Sequence, residues 1–145
     1  MVASNEVDIS VIIPTHNDAE FLEKILHTIC KQTLFPKEIV VIDSSTNNDV
    51  KDILEGYDNS IPVTYHREEK AYPGKARNIG VDLANEKWIA FLDCKTVPEK
   101  DWLERYQHLI QAYHADVVIG VTRFEAASPF QKALRAATYG KIGHH

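Results

Sequence analysis

Long apolar runs are missing from this chain, and so is any excess of basic residues. No stretch approaches the roughly 20 apolar residues that span a bilayer. The segment from Met1 to Asp8 is polar and lacks the positive and apolar regions of a signal peptide. A formal net charge of −5, with no basic run to offset it, argues against nucleic acid as a main partner. Cysteine is scarce: Cys30 and Cys94 stand alone without metal-like spacing and suit reduced thiols in a cytoplasmic protein. The seven histidines show no zinc-like spacing, and His27, His108 and His114 read as surface or packing residues. Neither G-x-G-x-x-G nor G-x-x-x-x-G-K-S/T occurs, and Ser44-Ser45 lacks a G-x-S-x-G setting. There are no repeats and no interdomain linker. What is present is an ordinary globular composition, 44% hydrophobic and 26% charged over 145 residues, enough for one domain with a core of its own.

Apolar runs and helical periodicity alternate along the chain. Val7 to Ile13 is β-branched and predicts a first strand, ending at Pro14-Thr15-His16-Asn17. Asn17 or Asp18 then caps a helix whose stripe is Phe21, Leu22, Ile25, Leu26, Ile29 and Cys30, with Pro36 past its end. Glu38 to Asp43 predicts a second strand, Asp49 to Glu55 a short helix closed by Gly56, and Pro62 to His66 a weaker third strand. Pro73 and Gly74 read as loop, followed by a helix from Ala76 to Ala84 that turns Ile79, Leu83 and Val81 to the core.

Trp88 to Asp93 predicts a central strand buried on both faces. Thr96 to Glu99 has the form of a capping box and opens a helix with Trp102, Leu103, Tyr106, Leu109, Ile110 and Tyr113 on one side; Trp102, Tyr106 and Tyr113 read as core residues. Asp116 to Val121 predicts a further strand, and Ala126 to Tyr139 a helix. Short strands alternating with amphipathic helices imply an α/β fold, a mostly parallel Rossmann-like sheet with helices on both faces. Ligands in such folds bind at the C-terminal edge of the strands. Three strands deliver polar groups to that edge: Thr15 to Asn17, Asp43, and Asp93 to Lys95.

Two of these sites have more than one reading. Asp43 either caps its own turn through a backbone N–H or bonds a base or ribose. Lys75 and Arg77 place two cations at a helix N-terminus, where the dipole disfavours them. They either hold an anion such as phosphate together with that dipole, or pair with Glu68, Glu69 or Asp82 on a solvated face. Asp93 and Lys95, on a tight turn after an apolar strand, point into a cleft and read as functional.

Four segments in order resemble the N-terminal half of a family-2 glycosyltransferase with the GT-A fold. Val11-Ile12-Ile13-Pro14-Thr15-His16-Asn17 resembles that family's opening motif, which usually ends Pro-Thr-Tyr-Asn. Glu38 to Thr46 resembles its second strand and Asp-Asp-Gly-Ser-Thr turn, one residue short. Gly74 to Gly80 resembles its Ala-Arg-Asn segment, and Phe91-Leu92-Asp93-Cys94-Lys95 falls where it has Phe-Leu-Asp-x-Asp.

The resemblance implies a site for a nucleoside diphosphate sugar, UDP-linked, with inverting transfer to an acceptor saccharide or another hydroxyl compound. Thr15 and His16, with Asn17 beside them, would line the base pocket, and Asp43 would bond a uracil-type base. Arg77, with Lys75 near it, would serve the base or diphosphate, and Asp93 would lie near the ribose and a metal, Mn²⁺ or Mg²⁺. Lys95 departs from the pattern: it replaces the Asp expected to hold that ion, and an ammonium repels a hard cation that wants oxygen ligands. Either Lys95 itself serves as the cation, or the site is degenerate and the domain serves nucleotide-sugar binding or assembly without transfer. A signalling receiver is a further rival, but Pro14 to Asn17 supplies no second acidic pair. No residue matches a catalytic base, and residues 1–145 read as one donor-binding domain, the truncated front part of a longer catalytic domain.

Overall fold

The computed structural model describes residues 5–57, 60–123 and 128–138. Its elements run β1 (Glu6–Thr15), α1 (Ala19–Ile29), β2 (Phe35–Asp43), α2 (Asp49–Glu55), β3 (Val63–Arg67), α3 (Pro73–Leu83), β4 (Trp88–Phe91), α4 (Trp102–Tyr113) and α5 (Pro129–Thr138). The four strands form one sheet in the order β3-β2-β1-β4. Every neighbouring pair is parallel.

Side-chain alternation along β1 and β2 feeds two cores, one on each face. Val11, Ile13, Ile39 and Val41 pack with Leu22, Ile25 and Ile29 of α1, Val50 of α2 and Leu103 of α4. Ile12, Val40 and Ile42 point the other way and meet Ala76 of α3, with Ile79 and Leu83 against them. The doubly covered α/β sheet is the expected one. Each fully buried aliphatic side chain contributes roughly 1.5–3 kcal/mol by leaving water. Helix α3 rests so closely on the sheet that a Cβ at Gly80 would collide with the Ile12 side chain.

Several elements differ from expectation. Within the described sheet β4 is an edge strand, paired with β1 alone, and Phe91 is 48% exposed; β1 and β2 hold the centre. A short apolar run has the same pattern in either place, so only the sheet order separates them. Asp116 to Val121 forms no strand, and Val117 and Ile119 are 75% and 87% exposed. Its β-branched residues supply propensity, but a strand needs a neighbour's ladder to hold it.

Helix α4 starts at Trp102, after the Thr96–Glu99 segment, with Asp101 at its N-cap. Val97 precedes Pro98, whose ring disfavours the helical region for it. Conversely α3 starts earlier, with Pro73 in its first turn, where a missing N–H costs nothing. Pro36 lies near the start of β2, as an early strand position allows. Phe21, Val81 and Tyr113 are exposed and take no part in the cores; Tyr106 is only partly covered, while Trp102, also partly covered, packs against the core under α1 as expected. In the tail, α5 agrees with the expected helix as far as it is described; Ala126, Ala127 and Tyr139 lie outside the described residues. No helix among the described residues is long and apolar enough to cross a membrane.

Candidate functional site

Strand register levels the polar groups at one rim. Thr15 pairs with Asp43 across β1–β2, and Asp43 with Arg67 across β2–β3. On the far side, the Leu92 N–H still donates to the Ile12 carbonyl at 3.0 Å, which carries Asp93 onto the same edge. A cleft of about 1560 Å³ opens there. Thr15, His16, Arg77, Asp93 and Lys95 line it, together with Asp18, Ser44, Thr46, Tyr72, Trp102 and Tyr106. Asn17, Asp43 and Lys75 do not line it.

The turns after β1 and β2 are bonded into one wall. The Ser44 N–H donates to the Thr15 carbonyl at 2.9 Å. His16 Nδ1 lies 2.8 Å from the Ser44 carbonyl, which only accepts, so the ring proton sits on Nδ1. Asn17 adopts φ 54°, a left-handed conformation that asparagine tolerates. From that position its N–H donates to Ser45 Oγ at 2.7 Å, and its Oδ1 accepts from the Thr46 N–H at 3.0 Å.

Asp43 lies beneath this wall. Its carboxylate is fully buried, accepting from the Ser45 N–H at 2.8 Å and the Tyr65 hydroxyl at 2.9 Å. Burial, and then the bond to Asp43, hold the Tyr65 phenol above its ordinary pKa, so it stays a donor through the neutral range. Arg67 clamps the same turn, donating to the Ser45 and Asn47 carbonyls, each at 2.8 Å.

Cations and carboxylates alternate along the opposite wall. Arg77 Nη2 donates to Asp93 Oδ1 at 2.5 Å. The Lys95 ammonium lies 3.0 Å from Asp18 Oδ1 and 5.3 Å from the centre of the Phe21 ring. Off the cleft, Lys75 turns to Glu68 at 2.5 Å, one of the pairings its sequence position left open, and holds that carboxyl below its ordinary pKa. Cys94, between Asp93 and Lys95, is buried, which pushes its thiol up to about 11.

Sequence reasoning missed Tyr65, Arg67 and the Asp18–Lys95 pair. Arg67 falls one residue beyond the expected third strand, and Asp18 reads as a helix cap. The period-2 pattern of β2 does carry one signal: Asp43 follows Ile39 and Val41 on the face under α1 and α2, which points to burial.

Comparisons with known proteins bear on the family and the fold. Residues 10–143 match the family model described as Glycosyl transferase family 2. Glycosyltransferase AglE of Haloferax volcanii is 33% identical over 123 residues, covering 80% of this chain and 40% of that protein. Glycosyltransferase GlyG of Streptococcus pneumoniae is 30% identical over 115 residues, covering 77% of this chain and 38% of its own length. The chain thus spans two fifths or less of these relatives. Among solved structures, Staphylococcus aureus TarS 1-349 in complex with UDP-GlcNAc superimposes with TM-score 0.69 at 28% identity, covering 84% of this chain and 37% of that one. The mannosyltransferase PcManGT from Pyrobaculum calidifontis, in complex with GDP-Man and Mn²⁺, gives TM-score 0.65 at 27% identity, covering 88% and 38%.

Proposed function

Because the chain belongs to glycosyl transferase family 2, we propose that residues 1–145 form the donor-binding unit of an inverting glycosyltransferase that uses a UDP-linked sugar. An acceptor hydroxyl, on a saccharide or another alcohol, attacks the anomeric carbon. The bond from that carbon to the diphosphate breaks, and the diphosphate leaves with its electron pair. The hydroxyl proton passes to a carboxylate that the matched motifs do not include.

One observation carries this reading: Thr15, His16, Arg77, Asp93 and Lys95, from three separate parts of the chain, meet on one cleft at the C-terminal edge of a parallel sheet. In this arrangement Thr15 and His16 form the wall against the base. Asp43 and Asn17 act from behind by fixing the Ser44–Thr46 turn. Arg77 presents its remaining guanidinium donors to the diphosphate, with Lys75, two residues earlier on α3 and paired to Glu68, adding at most a weak positive field. Asp93, 63% exposed in its side chain, accepts from a ribose hydroxyl. The uridine preference draws on the UDP-GlcNAc bound by TarS. Cys30 and Cys94, which form no disulfide, fit a cytoplasmic location.

Titration calorimetry with UDP, UDP-GlcNAc and GDP-mannose tests the proposal. Uridine ligands should bind and GDP-mannose should bind more weakly; no heat from any of the three would end this reading. Binding without transfer is the second reading, favoured by Lys95 in place of the family's closing aspartate. It predicts that the protein binds UDP-sugar yet releases no UDP when supplied with candidate acceptors.

A further inference from the structure

A divalent ion at this rim would need several oxygen ligands, and the side chains present do not offer them. Of the Asp93 carboxylate, Oδ1 is taken by Arg77 at 2.5 Å, which leaves Oδ2 as its one open oxygen. Lys95 occupies the next outward-facing position, where its ammonium would repel an ion. Among the described residues no three His, Cys, Asp or Glu side chains cluster closely enough to hold a metal.

The lysine is instead built into place. Asp18 stands at the N-cap of α1, yet its side chain makes no capping bond. Its carboxylate turns to Lys95 at 3.0 Å, while the Phe21 ring lies beneath the ammonium at 5.3 Å. Carboxylate and ring together orient the ammonium over the cleft and leave donors free. Lysine in place of aspartate also shifts the local charge by the same amount as binding one divalent ion. Arg77, bonded to Asp93, lines the same cleft, so two cations face it.

We infer that Lys95, positioned by Asp18 and Phe21, supplies the charge a divalent ion would bring, so that this cleft binds a nucleoside diphosphate without metal. The inference rests on the donor-binding reading above. Calorimetry of UDP with the chain, once in EDTA and once in excess Mn²⁺, should give the same affinity. Lys95→Met should weaken binding roughly 10- to 100-fold in EDTA, the worth of a charge-assisted hydrogen bond. The side chain is 64% exposed and exposed ion pairs add little stability, so the unliganded melting temperature should move only slightly, which separates lost binding from lost folding. Wild-type binding that requires Mn²⁺ overturns the inference and leaves the donor-binding reading standing, as does Lys95→Met binding with undiminished affinity. Absence of UDP binding in both conditions overturns the two together.

Discussion

Tyr65 donates its hydroxyl to Oδ2 of Asp43 at 2.9 Å, while Oδ1 of the same carboxylate takes the Ser45 N–H at 2.8 Å. Both oxygens are therefore occupied by the protein, and the turn that walls the cleft is anchored to a buried charge. Such a charge is tolerated only while its partners remain.

Asp43→Asn keeps the shape, but its NH₂ either meets the Ser45 N–H, a donor, or forces the Tyr65 hydroxyl to accept, and it removes the charge that Arg67 Nη1 faces at 3.8 Å. It should destabilise the fold by about 1–3 kcal/mol, the cost of a buried group left unsatisfied. Tyr65→Phe removes one bond and should cost less. Chemical denaturation of both variants checks the order; an Asp43→Asn protein as stable as wild type would show that the carboxylate anchors nothing.

Arg67 reaches the same turn from β3, with Nη1 on the Asn47 carbonyl and Nη2 on the Ser45 carbonyl. This fork needs a planar guanidinium, and lysine cannot reproduce it. Arg67→Lys should weaken UDP binding and speed amide exchange over residues 44–48 while leaving exchange in β1 slow. Uniform exchange changes across the sheet would point to global destabilisation instead.

The alternation of strands and helices was legible because continuous β-branched runs, buried on both faces in β1 and β2, contrast with helical stripes that recur about every 3.6 residues. β1, α1, β2 and α2 follow that pattern closely. What was hidden depends on sheet order, which no local pattern encodes. Only once β4 lies beside β1 does Lys95 come within reach of Asp18, 77 positions earlier in the chain. Similarly, Arg67 joins Asp43 only because β3 and β2 pair in that register. Local signals identified which residues reach the rim; their partners required the topology.

Farther from the cleft, Ser10 Oγ donates to Glu38 Oε1 at 2.6 Å, and Asn85 donates to the same carboxylate through its N–H at 2.6 Å and Nδ2 at 2.9 Å. Burial alone would raise the Glu38 pKa, but the donors from Asn85, Ser10 and Glu86 outweigh it and hold the group below its ordinary 4.5. A carboxyl more acidic in the folded state stabilises the fold above its unfolded pKa, and that contribution fades as pH drops through the folded value. Glu38→Gln should therefore cost about 1–3 kcal/mol at neutral pH, and the gap to wild type should narrow below pH 4.5. Melting curves across that range check it; a constant gap would refute the linkage.

Cys94 lines the cleft, yet its thiol is pushed up to about 11 by burial. Thiolate is the reactive form, so Cys94 should resist alkylation in the folded protein at pH 8. It should react readily once denaturant is added. Mass spectrometry of the peptide carrying Cys94 reads the outcome, and fast native labelling would contradict the packing against β1.

Two glycines of α3 should respond in opposite directions to alanine. At Gly74 an added Cβ meets nothing within 4 Å, so alanine brings only its better helix propensity, up to about 1 kcal/mol. At Gly80 the same methyl would collide with Ile12 Cγ2, and Ile12 is fully buried at the centre of the sheet. A β-branched side chain in a packed interior has no free rotamer to escape into. Overpacking of this kind costs about 1–3 kcal/mol and offsets or exceeds the propensity gain. Gly74→Ala should thus melt at or above wild type and Gly80→Ala below Gly74→Ala. Equal melting temperatures for the two would mean that α3 lies farther from β1 than this contact requires.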